Sequence, residues 1–206
     1  MKLIKPSFEL LTSLNSSILK SIERAGRICY QSESGTDTSE SFCKKIISRG
    51  HESVLEHESI SVKFIIDRGV SHELVRHRLC AFSQESTRYC SYKNHVTFII
   101  PPWVSIPAGI YKNGHVVNIE DALWFDSCMT AEYNYHLLLQ KWTPQQARSI
   151  LPNSLKTEII VTANLREWRH ILRLRTAQTA HPQMREVMCP LLETLKKQIP
   201  VIFEDI

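Results

Sequence analysis

The sequence predicts an α+β fold: one domain, residues 1–206, in which a mainly antiparallel sheet is packed by helices, with no Rossmann fold. Three observations predict it. Residues 59–66 alternate, with Ile60, Val62, Phe64 and Ile66 on one side and Ser59, Ser61 and Lys63 on the other. That is the period of a half-buried antiparallel strand, not the continuous apolar run of a parallel one. Several longer stretches carry apolar residues at helical spacing instead. All six glycines, Gly26, Gly35, Gly50, Gly69, Gly109 and Gly114, are isolated, so neither a Gly-x-Gly-x-x-Gly dinucleotide loop nor a Walker loop exists.

Ile18, Leu19, Ile22, Ala25 and Cys29 recur at helical spacing, which predicts an amphipathic helix over 17–30 capped by Asn15 or Ser16. Gly35 interrupts the chain. Asp37 with Glu40 then predicts a capping box for a second helix that bears Phe42, Cys43, Ile46 and Ile47 and is stopped by Gly50. After the strand at 59–66, Asp67-Arg68-Gly69 reads as a turn and Ser71 as the N-cap of a helix whose C-terminal end carries Arg76, His77 and Arg78. Residues 79–94 have no strong period, and 96–100 form a short β-rich run closed by Pro101-Pro102.

The Pro, Gly and Asn content of 103–118 predicts an irregular loop or hairpin. A long helix follows over 119–140, with Leu123, Cys128, Ala131, Tyr135 and Leu138 or Leu139 along its packed side. Thr143 caps a short helix that has Pro144 at its first position and reaches Arg148. The β-branched run 157–163 predicts a second strand. Asn164 with Glu167 then predicts a capping box for a helix whose Leu165, Trp168 and Leu172 face the core while Arg166, Arg169, His170 and Arg173 line its other faces, four cations that read as a solvated face. Pro182 opens a last helix with a core stripe from Met184 to Ile199 and an expected kink at Pro190.

A chain of 206 residues with 43% hydrophobic content buries a full core. Its net charge is only +4, with arginines clustered instead of spread in stripes, which favours a small anionic ligand over nucleic acid. Six cysteines without a Cys-x-x-Cys pair fit reduced thiols in a cytoplasmic protein. No apolar run has the length of a membrane span or the form of a signal peptide, so a soluble chain is expected.

The densest chemistry is Arg76-His77-Arg78 followed by Ser86, Arg88 and Tyr89. Arginine offers a planar fork of donors that matches phosphate at two points, and serine adds a rotatable hydroxyl donor, so the cluster reads as an anion site, a phosphate above all. His51, Glu52, Glu56 and His57 invite comparison with a helical zinc motif. The two histidines are too far apart to share a helix face as an i, i+4 pair does, so no metal is expected there.

Arg-His-Arg, seven intervening residues, Ser, any residue, Arg and Tyr is the signature that this chain shares with the flavin-dependent thymidylate synthases, which it resembles. Further matches are Gly50-His51-Glu52, Glu56-His57, Gln146-Ala147-Arg148 with Leu151-Pro152, and the run from Asn164-Leu165-Arg166-Glu167-Trp168 to Leu174-Arg175. The resemblance implies a homotetramer with FAD sites built between subunits, and reductive methylation of dUMP to dTMP. Methylenetetrahydrofolate would donate the carbon and FAD reduced by NADPH the hydride, with tetrahydrofolate released. It implies FAD contacts at His51, Arg76, His77, Arg78, Gln84, Asn164, Arg166 and His170. It also implies dUMP contacts at Glu73, Ser86, Arg88, Arg148 and Arg175.

Of these, Arg175 would stabilise enolate-like charge on the uracil. Ser86, although placed at the reacting pyrimidine, lacks a Ser-His-acid order around it and reads as a binding hydroxyl instead of a nucleophile. Ala81, Gln84 and Glu73 stand where members commonly carry other residues. The reading from another class is a basic module for nucleotides or single strands, in which arginines and aromatics meet phosphate and bases.

Overall fold

A computed structural model describes residues 1–29, 31–32, 38–114 and 118–206. The α+β expectation is borne out, with two mostly antiparallel sheets among helices. Contacts group into two compact units interleaved in sequence. One comprises Met1–Ser7, Phe64–Arg76 and Ser83–Ile160, the other Phe8–Lys63, His77–Phe82 and Val161–Ile206.

The first unit holds a three-stranded sheet in the order β5 (Thr97–Ile99), β1 (Lys2–Ile4), β6 (Gly109–Ile110). β1 pairs in parallel with β5, Leu3 opposite Phe98, and antiparallel with β6, Leu3 opposite Gly109. Against it lies a core of Leu3, Phe98, Ile100, Phe125, Cys128 and Tyr135, the last three from α4 (Ile119–Leu138). Asn118 starts α4 by accepting from the amides of Glu120 and Asp121. Leu123, read as part of the packed side, is 65% exposed, because Asp121, Phe125 and Cys128 set the buried stripe one step around the helix. α5 (Pro144–Ala147) follows, capped by Thr143 as its sequence predicts, and a 3-10 turn Arg148–Ile150 continues it.

The helix before the arginine cluster starts earlier than its sequence suggested. Asp67, not Ser71, is the N-cap of α3 (Arg68–Leu74): its carboxylate accepts from the Val70 amide at 2.8 Å. The stretch read as a turn is therefore the first turn of the helix, and Ser71 sits inside it, donating to the Arg68 carbonyl. Residues 80–84, read as aperiodic loop, form strand β4 (Cys80–Gln84).

β4 belongs to a four-stranded sheet ordered β2 (Ser7–Leu10), β3 (Ser59–Asp67), β7 (Lys156–Asn164), β4. In β3 and β7 Glu58 bonds Leu165, Ser61 bonds Thr162 and Arg68 bonds Leu155, so one number falls as the other rises and the strands run antiparallel. The alternation expected of 59–66 is observed: Ile60, Val62, Phe64 and Ile66 are all buried.

The second unit packs α1 (Ser17–Ile28), α2 (Ser39–Ser48), a 3-10 turn Glu52–His57, α6 (Leu165–Thr176), α7 (Pro182–Gln198) and α8 (Pro200–Phe203). Gly35, Asp37 and Tyr30 lie outside the described residues. Gly50 stops α2 as expected, at φ 70°, where a side chain would be strained. Its amide bonds the Ile47 carbonyl and that of His51 bonds Ile46, the paired closure of a Schellman motif, which delivers His51 to the helix end. Trp168 is fully buried and donates to the Ile60 carbonyl at 2.9 Å, fixing α6 to β3. α6 packs against α7, and Ile171 and Leu172 of the one and Met188 and Leu191 of the other are buried. One expectation fails outright. Arg169, read as a solvated cation on α6, has 0% exposure and is paired inside the unit. Among the described residues no helix is long and apolar enough to cross a membrane.

Candidate functional site

The first unit brings three of the expected nucleotide contacts to one turn. β4 runs into residues 85–90, where the Ser86 carbonyl accepts from the amides of Tyr89 and Cys90, and its hydroxyl oxygen accepts from the Arg88 amide at 3.3 Å. Such a side-chain turn uses the oxygen and leaves the hydroxyl proton able to donate. Arg88 is exposed, its guanidinium 5.4 Å above the exposed Tyr89 ring. Arg148 arrives from far along the chain, its Nη1 donating to Thr87 Oγ1 at 2.8 Å. Thr87 is buried and holds that arm against the turn. No local signal marked Thr87, since its role depends on a partner 61 positions away.

The acidic neighbours of this turn are engaged by other side chains. Lys156 Nζ bonds Glu85 at 2.8 Å and Glu158 at 2.7 Å, and Tyr92 donates to Glu85 at 3.0 Å. Burial opposes the lysine charge, but the two carboxylate bonds outweigh it and raise its pKa. Burial, then Glu85, pushes the Tyr92 hydroxyl above its ordinary range, so it stays protonated. The turn is thereby left to its arginines. Gln84 Nε2 donates to Ser71 Oγ and Thr157 Oγ1. Glu73 is half-buried and Arg76 exposed just past the end of α3.

In the second unit α6 organises the remaining candidates. Asn164 Oδ1 caps it, accepting from the Glu167 amide at 2.8 Å. Arg166 Nη1 meets Glu56 Oε1 at 2.6 Å with both side chains about half exposed, a surface pair worth little and easily exchanged for another anion. Arg78 is exposed. His51 lines a cavity of about 420 Å³ along with Phe42 and the cations Arg27, Lys45 and Arg49, which sequence reading missed because they come from α1 and from α2 and its C-terminal end.

His77 is only 7% exposed. Its Nε2 receives the Arg175 Nε donor at 2.9 Å, its Nδ1 stands 3.6 Å from Glu167 Oε1, and the His170 ring meets it edge-on with centroids 5.9 Å apart. A guanidinium only donates, so Nε2 must be the bare nitrogen and the ring proton sits on Nδ1, toward the carboxylate. Burial, then the charge of Arg175, then His170 push the pKa down from 6.5 to about 4, so the ring is neutral at pH 7. His77, Glu167 and His170 place candidate ligand atoms within 4.8 Å of one another. Arg175 occupies one His77 nitrogen and the proton the other, so the ring offers no lone pair to a cation.

A histidine that must stay neutral in the fold weakens it in acid. The unfolded chain takes up the proton near pH 6.5 and the folded one only near 4. Stability from this residue is whole above pH 6.5 and lost as pH falls through that window, about 3 kcal/mol in all. Urea midpoints at pH 7 and 4.5 should therefore fall farther apart for the wild type than for His77→Gln. Equal separations would show that His77 already protonates normally in the fold.

Burial first, then the Glu167 charge, lifts the Cys80 thiol to about 12, and burial lifts Cys43 to about 12 and Cys128 to about 11. None of these is a thiolate at neutral pH, and all six cysteines are unbridged.

The model of the family described as Thymidylate synthase complementing protein matches residues 10–201. The chain belongs to this family. Among its curated members, the flavin-dependent thymidylate synthase of Mycobacterium avium (strain 104) is 34% identical over 195 residues, covering 89% of this chain and 78% of that protein. The enzyme of the same name from Mycobacterium sp. (strain KMS) is 35% identical over 202 residues, with the same coverage. The fold is also that of the UMP/dUMP methylase PolB from Streptomyces cacaoi bound with 5-Br dUMP, with a TM-score of 0.78 at 23% identity over 99% of this chain and 96% of that one. For a family member, the placement of Ser86, Arg88 and Arg148 on one turn, and of His77, His170 and Arg175 around α6, gives the shared signature a geometry within each unit.

Proposed function

We propose that this chain is a flavin-dependent thymidylate synthase that converts dUMP to dTMP. The observation that carries the reading is the arrival of Arg148 at the Ser86–Arg88 turn, held there by Thr87. Two guanidiniums and a serine hydroxyl, with the nearby acids held by Lys156, are the donor set for a phosphate monoester. In this reading Ser86, Arg88, Arg148 and Glu73 bind dUMP, and Arg175 faces the pyrimidine. Arg175 stabilises the negative charge that builds on the uracil carbonyls as C5 becomes nucleophilic. Ser86 donates its hydroxyl proton to the nucleotide and forms no covalent bond, consistent with its acceptor bond to Arg88.

The residues present fit a flavin held without a glycine-rich loop. Arg78, Arg166 and His170 are exposed cations or donors, and the Arg166 pair with Glu56 is readily exchanged for a pyrophosphate oxygen. Asn164, whose oxygen caps α6, keeps its amide hydrogens for such a ligand, and His51 with Arg76 completes the proposed set. Gln84, its nitrogen committed to Ser71 and Thr157, would offer its carbonyl oxygen. His77 has both ring nitrogens engaged, so its part is to shape the wall. Bound FAD, reduced by NADPH, would supply the hydride, and methylenetetrahydrofolate the carbon. We further propose a cytoplasmic homotetramer.

The purified protein should be yellow, with absorbance near about 450 nm, the signature of a flavin cofactor. A colourless protein with steeply salt-dependent oligonucleotide binding would favour the single-strand module instead. Arg88→Ala or Arg148→Ala should weaken dUMP binding by about 10- to 150-fold, since a charge-assisted phosphate contact is worth about 1.5–3 kcal/mol. Calorimetry of dUMP binding checks this, and unchanged affinity in both variants would remove the phosphate site from this turn.

A further inference from the structure

Arg175 lies in the last turn of α6, half-buried, with a long stem that by itself leaves the guanidinium many orientations. One edge of that group is anchored. Its Nε donates at 2.9 Å into His77 Nε2, and His77 is packed at 7% exposure, with Glu167, 8% exposed, 3.6 Å from the opposite ring nitrogen. The same helix supplies both ends of this line: the Glu167 amide is tied by the Asn164 cap, so the carboxylate starts from a fixed backbone. A neutral ring protonated on Nδ1 turns that proton toward the carboxylate and its bare Nε2 toward the arginine. The opposite tautomer would set an N–H against the Arg175 N–H. Anchoring through Nε also fixes the plane of the guanidinium while keeping both terminal nitrogens outside that bond.

We propose that Glu167 and His77 are positioning residues that hold the Arg175 guanidinium in its working orientation, Glu167 by setting the His77 tautomer and His77 by accepting from Nε. The inference rests on the reading that Arg175 faces the pyrimidine of dUMP. It assigns a role to Glu167, which the shared signature places only as a helix-start acid. It also places His77 behind the arginine. A guanidinium that must meet charge building in the transition state is sensitive to orientation, and a displacement of about 1 Å costs on the order of 100-fold in rate. The loss is therefore expected in kcat more than in dUMP affinity.

The experiment is a double-mutant cycle on the flavin-loaded enzyme, with kcat, the dUMP dissociation constant and the melting temperature measured for each variant. His77→Leu should lower kcat about 10- to 100-fold with dUMP affinity changed less than about fivefold. His77→Gln, which keeps an acceptor near the Nε2 position, should recover most of that loss. Glu167→Gln, close in shape but uncharged, should lie between them, and it keeps the test open if His77→Leu does not fold. In an Arg175→Ala background His77→Leu should cost almost nothing more. A general packing role would move the melting temperature without rescue by glutamine, and its cost would persist without Arg175. Folded His77→Leu and Glu167→Gln enzymes at full kcat, or losses that add to that of Arg175→Ala, overturn the positioning role and leave the thymidylate synthase reading intact. Full kcat and affinity in Arg175→Ala overturn the reading of Arg175 itself, and the positioning role with it.

Discussion

Arg175→Ala is expected to lower the maximal rate of dTMP formation by about 10²- to 10³-fold, the scale of removing one donor from a charge-stabilising site. The reasoning starts from the side chain. Arg175 is half-buried, carries a charge it never loses near neutral pH, and points its Nε into a buried neutral ring, so its orientation is set before any ligand arrives. Deleting it also leaves His77 Nε2 without that donor, which costs about 1–3 kcal/mol of stability, so the fold should survive. Arg175→Lys restores charge but not the planar fork and should recover little. Turnover at saturating dUMP, beside a thermal melt of each variant, makes the measurement. A folded Arg175→Ala enzyme within about threefold of wild-type rate would remove Arg175 from the chemistry.

The largest effect on stability is expected at Arg169. Its guanidinium has no exposure, yet it bonds Glu52 at 3.0 and 3.2 Å, Asp205 at 2.6 and 2.7 Å, and the Ile202 carbonyl. Arg169→Leu removes the donor from the Ile202 carbonyl and leaves Arg173 to meet Glu52, at 3.6 Å, and the half-exposed Asp205, at 3.2 Å, a loss of about 3 kcal/mol, the low end for breaking a buried pair. Against a total of about 5–15 kcal/mol this brings the protein close to unfolding. The bonds from Arg169 hold the Asp205 carboxyl below its ordinary range, against the opposing effect of burial. Its contribution is therefore complete above the ordinary value of 3.8 and lost only as pH falls through the lower folded one. Urea unfolding of Arg169→Leu at pH 7 checks the claim, and a loss under about 1 kcal/mol would mean the network is ornamental.

Both residues show what the sequence does and does not carry. Residues 59–66 were readable because the strand buries one face, and that alternation is written into consecutive letters. Asn164 and Thr143 were readable because a cap needs only its own neighbours. Cys80–Gln84 was not, since Phe82 is the one large apolar residue on its half-buried face, between Cys80 and Gln84, and a single such position sets no period. At the helix after β3, Asp67 and Ser71 are both good caps, and only the observed bond to the Val70 amide decides between them. Strands β1 and β2 are three and four residues long, too short to establish a period.

The candidate site divides along the same line. The signature marks Arg76, His77, Arg78, Ser86 and Arg88 because they are close in sequence. Partners such as Thr87 for Arg148 and Glu167 for His77 depend on pairs 61 and 90 positions apart, 90 being 167 less 77. Arg169 is the sharpest case: four cations on one helix read as a solvated face, and its acid partner Asp205 lies 36 positions on, in the closing residues of the chain.

In the proposed reaction this protein methylates dUMP with a hydride taken from NADPH through its flavin. The direct test is to incubate flavin-loaded protein with dUMP, methylenetetrahydrofolate and NADPH and to quantify dTMP, oxidised NADPH and both folate products. The account predicts dTMP and oxidised NADPH in equal amounts, with tetrahydrofolate released and no product when NADPH is withheld. Formation of dTMP without NADPH, accompanied by dihydrofolate, would mean that the folate supplied the hydride and would contradict it, as would folded, flavin-loaded protein that makes no dTMP at all.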